Sequence, residues 1–389
     1  MRMELHILGT SSSRPANGRD VSGSIVCCDG TTILVDCGEG FQSRLLEHSA
    51  MLKANQWQKR LAHTRIDIML FTHGHLDHTW GAMPMLQSMG MDGRNKELTI
   101  AAPIHEDAYL QLLSNGYDSV MPSSVPRVDM IHQLKMWWEL LTDKIDKQDQ
   151  FPINCYVVSW IDNVESWLEL RPFEEDEQRV VKLSSPPTVM ENVIITPYKT
   201  THSVPSCAWR VTSKDRPGKF NRDKAGKLGL STDEKASLAR GEDIEKGGES
   251  ISSSEFRGEV RSGHSLLISG DTGFDTPGFD DLINEKPLNL MVHEATFVDE
   301  QESHARQYQH STARDAAKVA VSAKAENLVI THYSSRLTET DTSLDQARQV
   351  HDAVCCADDG DIYVIDETGE MQLFRVEDNV LNEIVKPFS

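Results

Sequence analysis

The stretch FTHGHLDHTWG, residues 71–81, places three histidines and an aspartate within six positions. It follows IDIMLF (66–71), an apolar and β-branched segment that reads as a buried strand, so His73, His75, Asp77 and His78 emerge where that strand ends. Side chains of these types compete with one another when nothing lies between them. A divalent cation removes the conflict, because neutral imidazole and carboxylate are its natural ligands. A helix is expected to start just after His78.

Outward from this cluster, other strands end in similar residues. MELHILG (3–9) reads as a strand, and SGSIVCCDGTTILVDCGEG (22–40) reads as a hairpin turning at Asp29-Gly30 and delivering Asp36 at its far end. A helix follows near 40–55. ENVIITPYKTTHS (191–203), SLLISGDTG (265–273), LNLMVHEAT (288–296) and NLVITHYSS (327–335) are further strands that run into His202, Asp271, Glu294 and His332. STARDAAKVAVSAKA (311–325) is the helix between the last two, with Ser311 or Thr312 as its N-cap. Strands alternating with helices argue for a layered α/β protein, in which strand ends converge on one rim.

The chain has 389 residues, 25% of them charged, with a net charge of −21. That balance disfavours non-specific attraction to nucleic acid or anionic membrane, although a local basic patch is compatible with it. No apolar run is long enough to span a bilayer and the first residues lack a signal-peptide pattern, so the expectation is a cytoplasmic protein with no membrane partner. Seven cysteines without a C-x-x-C pattern are expected to be reduced thiols. Residues 105–190 carry helix signals such as MIHQLKMWWELLTDK and read as a helical insertion without ligands. Residues 212–262 are rich in Gly, Ser, Lys and Glu, and read as a projecting arm on a single domain spanning 1–389. The arm's Lys214, Arg216, Lys219, Arg222, Lys224 and Lys227 read either as a phosphate-contact stripe or as a solvated face.

With these residues in hand, the chain resembles the metallo-β-lactamase superfamily through LVDCGEG, THGHLDH, His202, Asp271 and His332. Within it, the chain resembles the ribonuclease Z group, which processes transfer-RNA 3′ ends, through LGTSSSRP (8–15), HSVP (202–205), HEATF (293–297), HST (310–312) and THYSSR (331–336). Gly74 lies between the first two histidines and Leu76 precedes Asp77, whereas the group usually has its Gly just before the Asp. The resemblance implies an αβ/βα sandwich with two Zn2+ per chain, Mn2+ or another divalent metal being possible. His73, His75 and His202 hold one ion, Asp77, His78 and His332 the other, and Asp271 bridges them. It further implies a zinc-dependent endoribonuclease that removes 3′ trailers from precursor tRNA by hydroxide attack, leaving a 3′-hydroxyl. Asp77, Glu294 and His310 are then the catalytic residues, Asp36 orients a histidine from behind, and Arg336 meets a substrate phosphate. The 212–262 arm becomes an RNA-gripping exosite of a homodimer. Two competing readings are a metallo-phosphodiesterase for small or cyclic nucleotides and a metal-free scaffold.

Overall fold

Strands buried on both faces set the architecture, because alternate side chains must enter different cores. The computed structural model describes residues 2–144, 151–172 and 179–388. In β1 (Met3–Gly9), β2 (Gly23–Cys28), β3 (Thr31–Val35) and β4 (Ile68–Leu70), Leu5, Val26, Ile33 and Ile68 enter one core, while Ile25, Leu34 and Met69 enter another. The second of these is covered by helices α1 (Phe41–Ala54), α3 (Ala82–Met91), α4 (Glu106–Asn115) and α5 (Met130–Lys144), which contribute Phe41, Met85, Tyr109 and Trp137. The single-turn α2 (Leu76–Thr79) precedes α3. The helix expected after His78 is α3, and the additional turn before it carries both Asp77 and His78.

The sheet continues through β5 (Leu98–Pro103), β6 (Ile153–Ile161), β7 (Val164–Leu170) and β8 (Val180–Lys182). Residues 105–190 are therefore helical only in their first part. The later part is a hairpin because INCYVVSWI and VESWLEL are rich in β-branched and aromatic residues. The turn residues Asp162 and Asn163 both take positive φ, 51° and 61°, as a two-residue hairpin turn requires.

The second sheet has the order β16-β15-β14-β13-β10-β9, built from β9 (Val193–Lys199), β10 (Cys207–Ser213), β13 (Ser265–Ile268), β14 (Leu290–Glu294), β15 (Leu328–Thr331) and β16 (Val354–Cys356). Its inner face meets the first sheet through Trp209, Leu266, Val292 and Val329. Its outer face is covered by α9 (Ala313–Ser322) and α10 (Asp341–Arg348), which follow the short α8 (Glu302–Tyr308). Thr312 rather than Ser311 caps α9, through a capping box with Asp315. β17 (Ile362–Ile365), β18 (Met371–Glu377) and β19 (Val380–Ile384) return to the first sheet beside β1. Two sheets between two helical layers make the αβ/βα sandwich. Strands β3, β4 and β5 are parallel, as are β13 to β16, so each group ends along one edge. None of the seven cysteines is in a disulfide. No helix among the described residues is long and apolar enough to cross a membrane.

Ser213–His264 form a second compact unit, with α6 (Arg222–Lys227), α7 (Thr232–Arg240) and a hairpin of β11 (Ile244–Lys246) and β12 (Glu249–Ile251). Its composition suggested only a polar arm. The unit nevertheless has its own small core of Ala225, Leu230, Leu238 and Phe256, and Ser231 and Glu234 cap α7. Lys214, Lys219, Arg222 and Lys227 are exposed, Arg216 is half-buried, and Lys224 donates to the Glu255 carbonyl at 2.9 Å.

Trp209 is fully buried between the sheets, and its indole N–H donates to the Phe71 carbonyl at 2.9 Å, tying β10 to the segment that carries the histidine cluster. Trp209→Ala is expected to cost about 3–5 kcal/mol in denaturant unfolding. Trp209→Phe keeps most of the packing but strands the carbonyl, and should cost about 1–3 kcal/mol.

Candidate metal centre and proton-donor pair

Each residue at this edge is held by the strand it leaves. Asp36 follows β3 with φ 58°, a left-handed conformation that costs a non-glycine residue about 1–2 kcal/mol. Its carboxylate offsets that cost by accepting from the Thr72 N–H, the Thr72 hydroxyl and His78 Nδ1, each at 2.8 Å. His332 follows β15 in the same kind of conformation, φ 61°. Gly270, φ 60°, precedes Asp271, and a Cβ there would lie 2.4 Å from Thr72 Cβ. Gly74 is explained by the 125–133 segment: a Cβ would meet the Val128 carbonyl oxygen at 1.8 Å, and Gln133 Nε2 donates to the Gly74 carbonyl at 2.5 Å. The unusual glycine position therefore matches what packs over it, while Leu76 is 45% exposed and meets no such constraint.

Two groups of side chains result. His73 Nε2 and His202 Nε2 each lie 3.1 Å from His75 Nδ1, with Asp271 Oδ2 at 3.7 Å from His73 and 3.8 Å from His202. His78 Nε2 lies 3.3 Å from His332 Nε2, and each is 3.7 Å from Asp77 Oδ2. Asp271 Oδ1 faces this second group, 3.3 Å from His78 and 3.2 Å from His332. One buried carboxylate thus presents one oxygen to each group. Both groups have the residue types and spacing to hold a cation.

The far side of each ring decides which nitrogen points inward. Thr72 Oγ1 donates to Asp36, so it accepts from His73 Nδ1–H at 3.1 Å. His78 Nδ1 donates to Asp36, His202 Nδ1 to the Gln309 carbonyl at 3.1 Å, and His332 Nδ1 to Thr296 Oγ1 at 3.0 Å. Four Nε2 lone pairs therefore converge, each with its tautomer fixed from behind. Burial and the adjacent His78 hold His73 well below the usual imidazole range, and burial pulls His202 down to about 4 despite Asp271. Burial would raise Asp77 and Asp271, but charge on His78 and His332 keeps both below the carboxylate range. Burial would lower His78, yet Asp271, Asp36 and Asp77 push it well above the usual imidazole range, so a proton there takes the place that a cation would fill. Among the described residues no lysine or arginine pairs with Asp36, Asp77 or Asp271, and Asp271 Oδ1 lacks a hydrogen bond of acceptable geometry. Facing lone pairs and buried anionic oxygens without a fixed cation fit divalent metal.

Beside these groups lies an imidazole–carboxylate pair. His310 Nδ1 donates to Glu294 Oε1 at 2.8 Å, and Glu294 is buried, accepting also from Thr272 N–H, Ser311 N–H, Thr296 N–H and the Thr296 hydroxyl. Burial alone would lower His310, but the charge and hydrogen bond of Glu294 push it up to about 9. A hollow of about 430 Å3 opens over His75, Asp77, Asp271 and His310, with Arg336 at its wall. Arg336 is exposed and has no acidic partner among the described residues. A second hollow, about 580 Å3, shares His202 and Ser203 with the first.

The edge therefore brings together Asp36, His73, His75, Asp77, His78, His202, Asp271, Glu294, His310 and His332. Lys214, Arg216 and Lys219 belong to the separate Ser213–His264 unit. Sequence reasoning missed Thr72, Thr296 and the Ser13 N–H, which donates to Asp77 Oδ2 at 2.8 Å. A signal for the first two was available, since Thr72 immediately precedes His73 and Thr296 lies two residues after Glu294, both just past strand ends.

The model of the metallo-beta-lactamase superfamily matches residues 17–144. A ribonuclease Z from Myxococcus xanthus is 30% identical over 352 residues, covering 89% of this chain and 92% of the relative. One from Methanothermobacter thermautotrophicus is 32% identical over 361 residues, covering 92% and 95%. Human tRNase Z, short form, is similar in fold, with TM-score 0.52 and 19% identity over 92% of this chain and 98% of that one. On the strength of these relatives, the chain belongs to the ribonuclease Z family of the metallo-β-lactamase superfamily.

Proposed function

We propose that the protein is a metal-dependent endoribonuclease that cuts precursor tRNA at the 3′ side of its acceptor end. The observation that carries this reading is Asp271, one oxygen on each of two histidine groups, with the Glu294–His310 pair alongside. His73, His75 and His202 would hold one ion and Asp77, His78 and His332 the other, with Asp271 shared. When bound, such ions supply Lewis-acid stabilisation of phosphoryl oxygens and water acidified toward neutral pH.

The chain's own residues do the rest. Asp36, Thr72, Thr296 and the Gln309 carbonyl keep the ring nitrogens aimed, so little reorganisation accompanies reaction. His310 carries a proton at neutral pH and donates it to the leaving ribose 3′-oxygen, while Glu294 stabilises the imidazolium and fixes its orientation. The tRNA then keeps a 3′-hydroxyl. Arg336, exposed in the hollow wall, offers a fork of donors to a phosphate. Zinc as the metal, a cytoplasmic homodimer, and the Ser213–His264 unit as the element that grips tRNA for the partner subunit belong to the same reading. The family resemblance and that unit's exposed basic residues support it.

Metal analysis of the purified protein should find close to two divalent ions per chain. Chelator should abolish precursor-tRNA cleavage, and zinc or manganese should restore it; a metal-free protein whose cleavage ignores chelator would refute the reading. His310→Ala should lower turnover about a hundredfold or more with metal content unchanged. The pH profile has a definite sign. A donor must be protonated, so kcat/KM should fall as pH rises through about 9. Glu294→Gln removes the charge that raises the imidazole and leaves the lowering effect of burial, so this limb should move to lower pH.

A further inference from the structure

The hollow over the two histidine groups has a wall that neither the metal chemistry nor the proton-donor pair uses. Phe297 meets His310 edge-on, with ring centroids 6.0 Å apart and planes at 65°. From Phe297 the rings continue outward to His304, 6.3 Å away with planes 24° apart. They end at Tyr308, 6.5 Å from His304 with planes only 6° apart. His304 and Tyr308 are four residues apart on α8, so the helix holds both rings on one face. Phe297, His304 and Tyr308 all line the hollow that contains His75, Asp77, Asp271 and His310. Tyr308 is 53% exposed and its hydroxyl has no hydrogen-bond partner among the described residues. Large aromatic rings left open to water beside a buried polar site forfeit apolar burial unless a ligand covers them.

We propose that the His304–Tyr308 shelf is a stacking subsite for the nucleobase on the leaving-oxygen side of the scissile phosphodiester, the last base of the tRNA product. The inference rests on the endoribonuclease reading and adds a positioning element to it. The leaving 3′-oxygen must come within hydrogen-bond reach of His310, and the nucleotide that carries this oxygen is the one upstream of the cut. Its base therefore lies one sugar away from His310, on the side where the aromatic series begins. Every base has a π-face, so a stack holds any base in place. On a chain of net charge −21, stacking also gives hold on the nucleotide without demanding cationic side chains at the site.

The test uses the full-length, metal-loaded enzyme and two precursor tRNAs, one intact and one lacking only the base of the nucleotide before the cut. On the intact precursor, Tyr308→Ala should lower kcat/KM about tenfold or more, within the range expected for losing one base–aromatic stack. Tyr308→Phe should retain wild-type rates, since the face is used and the hydroxyl is not. On the base-less precursor, wild type and Tyr308→Ala should cut at the same reduced rate. Metal content and the pH at which the alkaline limb falls should be unchanged in both variants. Equal losses on the two precursors, or unaltered cleavage of the intact one by a His304→Ala/Tyr308→Ala double variant, would overturn the subsite while leaving the endoribonuclease reading intact. A wild-type enzyme that cuts neither precursor would overturn that reading and the subsite with it.

Discussion

Asp271 is buried at the floor of the hollow, with one oxygen toward each histidine group and no lysine or arginine to neutralise it among the described residues. Burying an ionised carboxylate is costly unless opposite charge and hydrogen bonds compensate. The surrounding edge is organised around that constraint. Gly270, at positive φ just before Asp271, packs directly against Thr72, Asp36 accepts a left-handed backbone so that its carboxylate can hold Thr72 and His78, and His332 takes the same backbone conformation after β15. Local strain at Asp36 and His332 is tolerable because each leaves a well-buried strand, while at Gly270 the same conformation is open to glycine without strain.

Thr296 joins the two parts of the site. Its hydroxyl donates to Glu294 and accepts from His332, so one small side chain sets both the imidazole that faces Asp271 and the carboxylate that charges His310. A displacement of β14 would therefore disturb the histidine groups and the Glu294–His310 pair together. The same economy appears at Thr72, which connects Asp36 to His73. These hydroxyls fix the tautomers of His73 and His332, as Asp36 does for His78 and the Gln309 carbonyl for His202, so rings from three separate segments present the same nitrogen inward.

The acidity of the chain bears on how a polyanion is held. Arg336 lies in the wall of the hollow along with aromatic rings and serines, and the exposed basic residues Lys214, Lys219, Arg222 and Lys227 lie in the separate Ser213–His264 unit. Long-range attraction is weak for such a charge balance, so the proposed recognition would depend on short-range contacts: a planar guanidinium, ring faces and bound cations.

Much of the architecture was legible in the chain because strand alternation and the switch to a helical period are local properties. The ends of β3, β4, β13, β14 and β15 could be read from apolar runs that stop at Asp36, His73, Asp271, Glu294 and His332. The first histidine cluster is legible for the same reason, since all its members leave one strand within six residues. What depended on distant contacts was not legible. The hairpin of β6 and β7 was obscured by the strong helix signals before it, and the small core of Ser213–His264 by its polar composition. The reason for Gly74 lies in the Val128 carbonyl, more than fifty residues away in sequence. Likewise, only the folded chain places one oxygen of Asp271 on each histidine group, and only the fold turns Phe297, His304 and Tyr308 into a wall beside His310. Local sequence sets the period of each element and the residue type at its end; which ends meet, and which atom of each side chain faces inward, is decided by packing between elements remote along the chain.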